Sequence, residues 1–124
     1  MYNVEKNNKK FNILDRTLDF GVKIIKLIDL IPKTQAGFIL SRQLVRSATS
    51  VGANIEEAQS SPTKKDFVNK MNIALKEARE TRYWLTLLSK AKLLSINRTQ
   101  FEIEESKEII KIIITIIKKT KNGM

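Results

Sequence analysis

The sequence predicts an all-α protein, an antiparallel up-and-down four-helix bundle formed by a single domain over residues 1–124. Apolar residues recur at spacings of three and four, which is the helical period. Four glycines and two prolines are too few for the many turns of an all-β fold. The expected helices cover residues 9–31, 36–60, 64–93 and 98–121, and their short connections favour antiparallel neighbours.

The first predicted helix carries two apolar rows. One row has heptad-like spacing and consists of Phe11, Leu14, Leu18, Gly21, Ile25 and Ile28. The second consists of Ile13, Phe20, Ile24, Leu27 and Ile31. Pro32 ends the helix, because the residue before a proline is disfavoured in the α region.

Helices two and three are expected to pack closely at mid-length. Their small residues are Ala48, Gly52 and Ala53 on helix two and Ala74, Ala78 and Thr81 on helix three. Between the helices, Thr63 followed by Asp66 predicts a variant of the capping box at the start of helix three.

The fourth helix is predicted to begin at a cap formed by Asn97 with Gln100, and isoleucine occupies seven of the nine positions from 109 to 117. Ile110, Ile114 and Ile117 are expected to face the core. The other isoleucines then lie around its edge and predict a homo-oligomer interface, since monomers rarely expose such patches. The predicted interface residues are Ile109, Ile112, Ile113 and Ile116.

Polar residues flank the apolar seams of helices two and three. Equal rise along antiparallel helices predicts Arg46 opposite Glu77, Gln43 opposite Glu80 and Asn54 opposite Asn69. The expected structural network consists of Gln43, Arg46, Ser50, Asn54, Glu77 and Glu80. A register-setting role is favoured over a ligand site, because ion-pair networks of this kind are common without catalysis.

The residue inventory argues against an enzyme. The chain has no histidine and no cysteine, so neither the usual zinc and di-iron sites nor a thiolate nucleophile can form. Neither glycine-rich phosphate-binding motif occurs. We therefore predict no catalytic residue, no cofactor and no metal site.

Charge is the most unusual bulk property of the chain. Lys and Arg number 23 against 13 Asp and Glu, which gives a net charge of +10 and favours polyanionic partners. The predicted nucleic-acid-binding residues are Lys6, Lys9, Lys10, Lys64, Lys65, Arg79, Arg82, Lys118, Lys119 and Lys121. Tyr83 and Trp84 offer a base-stacking surface, but burial in the core or at a subunit contact is the favoured interpretation.

The N-terminal ten residues are polar and lack the apolar run of a secretory signal. The longest apolar stretch spans nine residues, against the roughly 20 that cross a membrane. The prediction is a cytoplasmic protein without a membrane partner.

The stretch from Ser41 to Glu57, which reads SRQLVRSATSVGANIEE, resembles a motif of the bacterial 23S rRNA-intervening-sequence proteins. Phe67 and the segment from Ala74 to Thr81 continue the likeness, while Ala58 departs from a common glycine. The resemblance implies a four-helix bundle that assembles into a ring, typically a pentamer. It also implies kinship with accessory variability-determinant proteins of diversity-generating retroelements, which engage a reverse transcriptase and RNA.

Two functions follow as hypotheses. The leading one is a basic, ring-forming homo-oligomer that binds structured RNA without catalysis. The alternative is a protein-interaction scaffold or accessory subunit, for example one that docks a reverse transcriptase. Binding that weakens steeply with salt would favour the first hypothesis.

Overall fold

Four α-helices account for most of the computed structural model, which describes residues 12–124. They are α1 (Ile13–Leu27), α2 (Gln35–Ala58), α3 (Lys64–Lys90) and α4 (Ile96–Asn122), with a 3-10 turn at Ile28–Leu30. The described residues contain no strand, so the all-α prediction is confirmed.

The two apolar rows of α1 have different surroundings. The second row forms the core, since Ile13, Phe20 and Ile24 are at most 2% exposed. The heptad-like row is divided, since Leu18 is 67% and Ile25 50% exposed, whereas Gly21 is buried and Leu14 and Ile28 pack against the core. The Asn12 side chain accepts hydrogen bonds from the first free amides of α1, so the described helix begins at Ile13 rather than at residue 9.

Polar caps start the two central helices. The Thr34 hydroxyl accepts a hydrogen bond from the Gly37 amide at 3.1 Å. Thr63 accepts the Asp66 amide at 3.0 Å, as predicted, but the Asp66 carboxylate accepts the Thr63 hydroxyl at 2.9 Å instead of a backbone amide. The arrangement still satisfies one of the free amides that every helix start presents.

Helix α3 ends at Lys90, three residues before the predicted end. The reason is the backbone at Lys92, which adopts φ of 60°, so the chain leaves the helical path. The Leu93 amide then donates to the Leu88 carbonyl at 3.0 Å, a bond typical of Schellman-type helix ends.

The predicted cap of α4 is wrong. Helix α4 begins at Ile96 with Ser95 at the cap position, so Asn97 and Gln100 lie inside the helix. The Ser95 side chain makes no capping bond, whereas the Thr99 hydroxyl donates to the Ser95 carbonyl at 3.2 Å. An Asn-x-x-Gln pattern alone is therefore not enough to predict the first residue of a helix.

The predicted division of the α4 isoleucines is confirmed for Ile110 and Ile117, which are buried, and is wrong for Ile114, which is only half-buried, and for Ile109 and Ile113. Ile109 and Ile113 are 1% and 0% exposed and belong to the core rather than to its edge. Ile112 and Ile116 are half-buried and pack against that core. The bundle is therefore wide enough to cover most of the isoleucine-rich face within one chain.

Contacts between helices give their directions. Ser47 meets Thr81 and Glu57 meets Lys70, so positions rise on α2 as they fall on α3. Arg16 meets Glu105 and the Lys23 ammonium lies 4.3 Å from the Phe101 ring centre, the same relation for α1 and α4. Both pairs are antiparallel, as an up-and-down bundle requires.

Candidate nucleic-acid interface

A row of basic and neutral side chains follows the face of α3 that points away from the core. We call it the α3 row, and its exposed members are Lys65, Asn69, Asn72, Lys76, Arg79, Tyr83 and Lys90. Their spacings of three, four and seven residues keep them on one side of a helix. At 1.5 Å per residue the row is about 37 Å long.

The acidic residues of α3 lie outside this row. Asp66 is engaged at the helix start by Thr63. Glu77 and Glu80 face α2, where both pair with Arg46. Because the acids of its own helix are engaged elsewhere, the four cations of the α3 row give this face a positive charge that favours polyanions.

A second basic group lies at one end of the bundle. The Lys64 ammonium donates to the Gly123 carbonyl at 2.7 Å, which joins the start of α3 to the end of α4. Lys118, Lys119 and Lys121 are exposed on the last turns of α4, and Lys65 is exposed beside Lys64. We call these five lysines the basic end; they reinforce one another electrostatically.

The remaining predicted nucleic-acid residues divide into three cases. Arg79 is exposed in the middle of the α3 row, about 21 Å along the helix from Lys65. Arg82 is half-buried on the flank of α3. Lys6, Lys9 and Lys10 lie outside the described residues.

Sequence reasoning did not assign Lys76 and Tyr83 to this surface. Tyr83 is 59% exposed, so burial of its ring in the core is wrong, while burial at a subunit contact stays a prediction; Trp84 is half-buried. The spacing of Lys76 and Tyr83 in the sequence could have placed them on this surface, since both residues lie in helical register with Lys65 and Arg79.

The predicted network between α2 and α3 forms around Arg46. Its guanidinium donates to both Glu77 carboxylate oxygens at 3.3 and 3.4 Å and to the Glu80 carboxylate. The Gln43 side-chain oxygen accepts from Arg46 Nε at 3.3 Å. Glu77 is nearly buried while the Arg46 side chain is 46% exposed, so the pair lies at the edge of the α2–α3 interface, between its interior and solvent.

Ser50 and Asn54 do not join this network. The Ser50 hydroxyl donates to the Arg46 carbonyl at 2.6 Å, and the Asn54 amide donates to the Ser50 carbonyl at 2.8 Å. Both bonds stay within α2, because short polar side chains easily reach the carbonyl four residues back.

Two contacts that the sequence did not reveal complete the interface. The Thr81 hydroxyl donates to Ser47 Oγ at 2.9 Å, and both side chains are fully buried. The Trp84 indole donates to Glu80 at 3.0 Å. The α2–α3 pair is therefore joined by hydrogen bonds both in its interior and at its edge.

The other edge of α2 is open. A groove of about 630 Å³ runs between α1 and α2. Its lining includes Leu18, Gly21, Val22 and Ile25 of α1 and Thr49 and Ala53 of α2. The close approach occurs at Gly52, where an added Cβ would lie 3.2 Å from the Thr17 hydroxyl. Gly52 thus serves the α1–α2 contact, and not the α2–α3 contact that its spacing predicted.

Among residues 12–124, no three His, Cys, Asp or Glu side chains form a group that could hold a metal ion. Over the same range, every helix falls short of the apolar length that a bilayer crossing demands. The described surface offers instead a basic row, a basic end and an apolar groove.

Comparison with known families agrees with this architecture. The model of the 23S rRNA-intervening sequence protein family matches residues 9–115. The chain belongs to this family. A crystal structure of a protein of unknown function from the S23 ribosomal protein family of Bacteroides thetaiotaomicron is 43% identical, with a TM-score of 0.81. The match covers 86% of this chain and 98% of that protein. A search of curated proteins finds no match.

For this 23S rRNA-intervening sequence family member, the structure assigns a role to the residues that carried the resemblance. Arg46, Glu77 and Glu80 join α2 to α3. Ala48, Ala74 and Ala78 are buried in the core. The motif residues that point inward therefore describe how two helices pack, while Lys76 and Arg79 of the same segment point outward into the α3 row.

Proposed function

We propose that this protein is a non-catalytic, homo-oligomeric bundle that binds structured RNA. The observation that carries the proposal is the α3 row, a basic surface about 37 Å long with the acids of its helix turned aside. The basic end extends the same positive surface. A cytoplasmic location suits the proposal, since cellular RNA lies there.

Phosphate contact is the chemistry that this surface supports. Lysine and arginine side chains bind phosphate oxygens, and binding releases the counterions that the nucleic acid had condensed. Such contacts orient a protein on RNA but carry no sequence information by themselves. The binding mode is therefore governed by the shape and charge of the RNA.

Self-association is supported by exposed apolar surface. The groove exposes Leu18, Val22 and Ile25, and a second apolar cluster lies near the α1–α2 turn at Leu30, Phe38 and Ile39. A ring forms through a head-to-tail interface, which joins two different surfaces of the same chain. We propose the groove and this cluster as those two surfaces, in place of the α4 isoleucines, and a pentamer as the assembly.

The RNA proposal is tested by fluorescence anisotropy of a structured RNA across a salt series, with duplex DNA of equal length as control. The expected result is tighter binding to RNA, and an affinity that falls steeply as salt rises. Equal affinity for both nucleic acids would reduce the interaction to general polyanion binding. Absence of RNA binding near physiological salt would contradict the proposal.

The assembly proposal is tested by sedimentation velocity. The wild-type chain should sediment at about five times its 14.2 kDa mass. Leu18→Gln with Ile25→Gln should shift it toward the monomer, whereas Thr115→Gln, on an exposed position of α4, should leave it unchanged. A monomeric wild type, or an unchanged groove variant, would contradict the assignment.

A protein partner is the second candidate function, and the groove is the observation that favours it. An apolar groove between two helices can accept a helix from another protein. A partner bound there would be insensitive to salt, unlike RNA on the α3 row. Salt-independent capture of a reverse transcriptase by a chain that does not bind RNA would favour this alternative.

A further inference from the structure

Tyr83 is an exposed aromatic residue in a basic setting. Its side chain is 59% exposed. In the α3 row it follows Lys76 and Arg79 by two turns and one turn, and Lys90 lies two turns further on. Unpaired bases are bound by this combination, in which cations contact the backbone while a ring stacks on the base.

The Tyr83 ring is held in position by a chain of contacts. It meets the Trp84 ring edge-to-face, with centroids 5.1 Å apart and planes inclined by 73°. Trp84 is in turn fixed by its hydrogen bond to Glu80, which pairs with Arg46. A ring that is already oriented loses little conformational freedom when a base stacks on it.

The other exposed aromatic rings of the described residues have different neighbours. The Lys23 ammonium lies over the Phe101 ring at 4.3 Å. Phe38 adjoins the exposed Ile39 near the α1–α2 turn, in an apolar setting that suits a protein contact. Tyr83 differs from both in lying one turn from Arg79 and two turns from Lys76 and Lys90, although the exposed Ile73 and the half-buried Leu87 border the same face of α3.

We propose that Tyr83 stacks on an unpaired base of the bound RNA. This inference rests on the proposed function and narrows its ligand to structured RNA with a single-stranded loop or bulge. Paired bases are stacked within their own helix, so only an unpaired base can lie on the ring. Arg79 and Lys76 then contact the phosphates that flank the loop.

The test compares an RNA hairpin with an unpaired loop and a fully paired RNA duplex of equal length, by fluorescence anisotropy at one salt concentration. Tyr83→Leu should weaken hairpin binding about 5- to 150-fold, which is the loss expected for one stacked base. Tyr83→Phe keeps the ring and should bind the hairpin like the wild type. Duplex binding and the salt dependence should be unchanged, because no charge is removed.

The outcomes separate the two proposals. If Tyr83→Leu binds the hairpin as tightly as the wild type and with the same salt dependence, stacking is wrong while RNA binding stands. An equal loss on hairpin and duplex would also overturn stacking. If the wild type binds neither RNA, both proposals fall. Circular dichroism should show that each exposed-site variant retains its helices.

Discussion

The two edges of α2 differ in how they are closed. Toward α3, Ser47 meets Thr81 in the buried interior and Arg46 pairs with two glutamates at the edge. Toward α1, the surface opens into an apolar groove of about 630 Å³. One edge thus joins two helices through polar contacts, and the other leaves apolar surface uncovered within the single chain. The same helix is closed on one side and open on the side where we propose subunit contact.

The largest expected change in stability comes from placing a leucine at one position on each edge of α2. Ser47→Leu should lower the free energy of unfolding by about 1–3 kcal/mol, because Ser47 is fully buried against Thr81. Thr49→Leu adds a leucine two residues along, at an exposed position of the groove, and should change stability by less than about 0.5 kcal/mol. Urea denaturation measures both in the Leu18→Gln, Ile25→Gln background, in which the proposed subunit contact at the groove is removed. Equal losses would remove the distinction between the edges.

Replacing Arg46 tests how much its ion pairs stabilise the edge of α2 that faces α3. Arg46→Leu leaves the nearly buried Glu77 carboxylate without its cation and should cost about 1–2 kcal/mol. Combining it with Glu77→Leu should recover most of that loss, since two apolar residues need no partner. A double-mutant cycle in urea gives the coupling energy. Additive losses would contradict a direct pair.

Removing the Arg16–Glu105 bond tests how much this ion pair stabilises the packing of α1 against α4. The guanidinium donates to the carboxylate at 2.7 and 3.0 Å, and this bond raises the pKa of Arg16 above its usual range. Glu105→Gln should lower stability by roughly 0.5–1.5 kcal/mol, as both side chains are partly exposed.

The pH dependence of that loss follows from the direction of the pKa shift. Because the folded pKa is raised, the stabilisation from Arg16 is complete below its unfolded pKa and disappears only as strongly alkaline pH passes the folded value. The difference between wild type and Glu105→Gln should therefore be constant from neutral pH to about pH 10. Urea melts across that range check it, and a loss that vanishes below pH 10 would contradict the assignment.

Gly21→Ala should cause the smallest change in stability, and unlike the other substitutions it should raise stability. A Cβ added there meets no heavy atom within 4 Å, because the groove is open at this point. Gly21→Ala should therefore raise stability by about 0.4–1 kcal/mol, since alanine loses less backbone freedom than glycine in a helix. Thermal melting measures the gain. The measurement uses the Leu18→Gln, Ile25→Gln variant, in which the proposed subunit contact is removed, so that a fall in the melting temperature would contradict an open groove at Gly21.

Some parts of this structure follow from the sequence and others do not. The all-α class and the Arg46–Glu77 pair were predictable, because period and antiparallel rise are properties of the chain itself. Which apolar row of α1 faces the core was not, since Leu18 and Phe20 fit a helical period equally well. Burial of Ile109 and Ile113 depends on the width of the bundle, which periodicity does not give.

The net positive charge of the protein was predictable from the sequence, but the residues that form its basic surface were not. The excess of lysine and arginine indicated a polyanion, yet the outline of the α3 row depends on Glu77 and Glu80 turning toward α2. Tyr83 and Trp84 are adjacent in sequence and differ in exposure, because adjacent residues on a helix point about 100° apart. Their separate roles follow from that rotation.

A charge-matched pair of variants tests the central claim most directly. Lys76→Gln with Arg79→Gln removes two charges from the α3 row, and Lys107→Gln with Lys111→Gln removes two from the exposed face of α4. We expect the first pair to weaken binding to structured RNA and to reduce the slope of log affinity against log salt by roughly 0.7–0.9 for each phosphate that is no longer neutralised. The second pair should bind like the wild type. Equal weakening by both pairs would mean that net charge alone attracts the RNA, and would contradict a binding surface on α3.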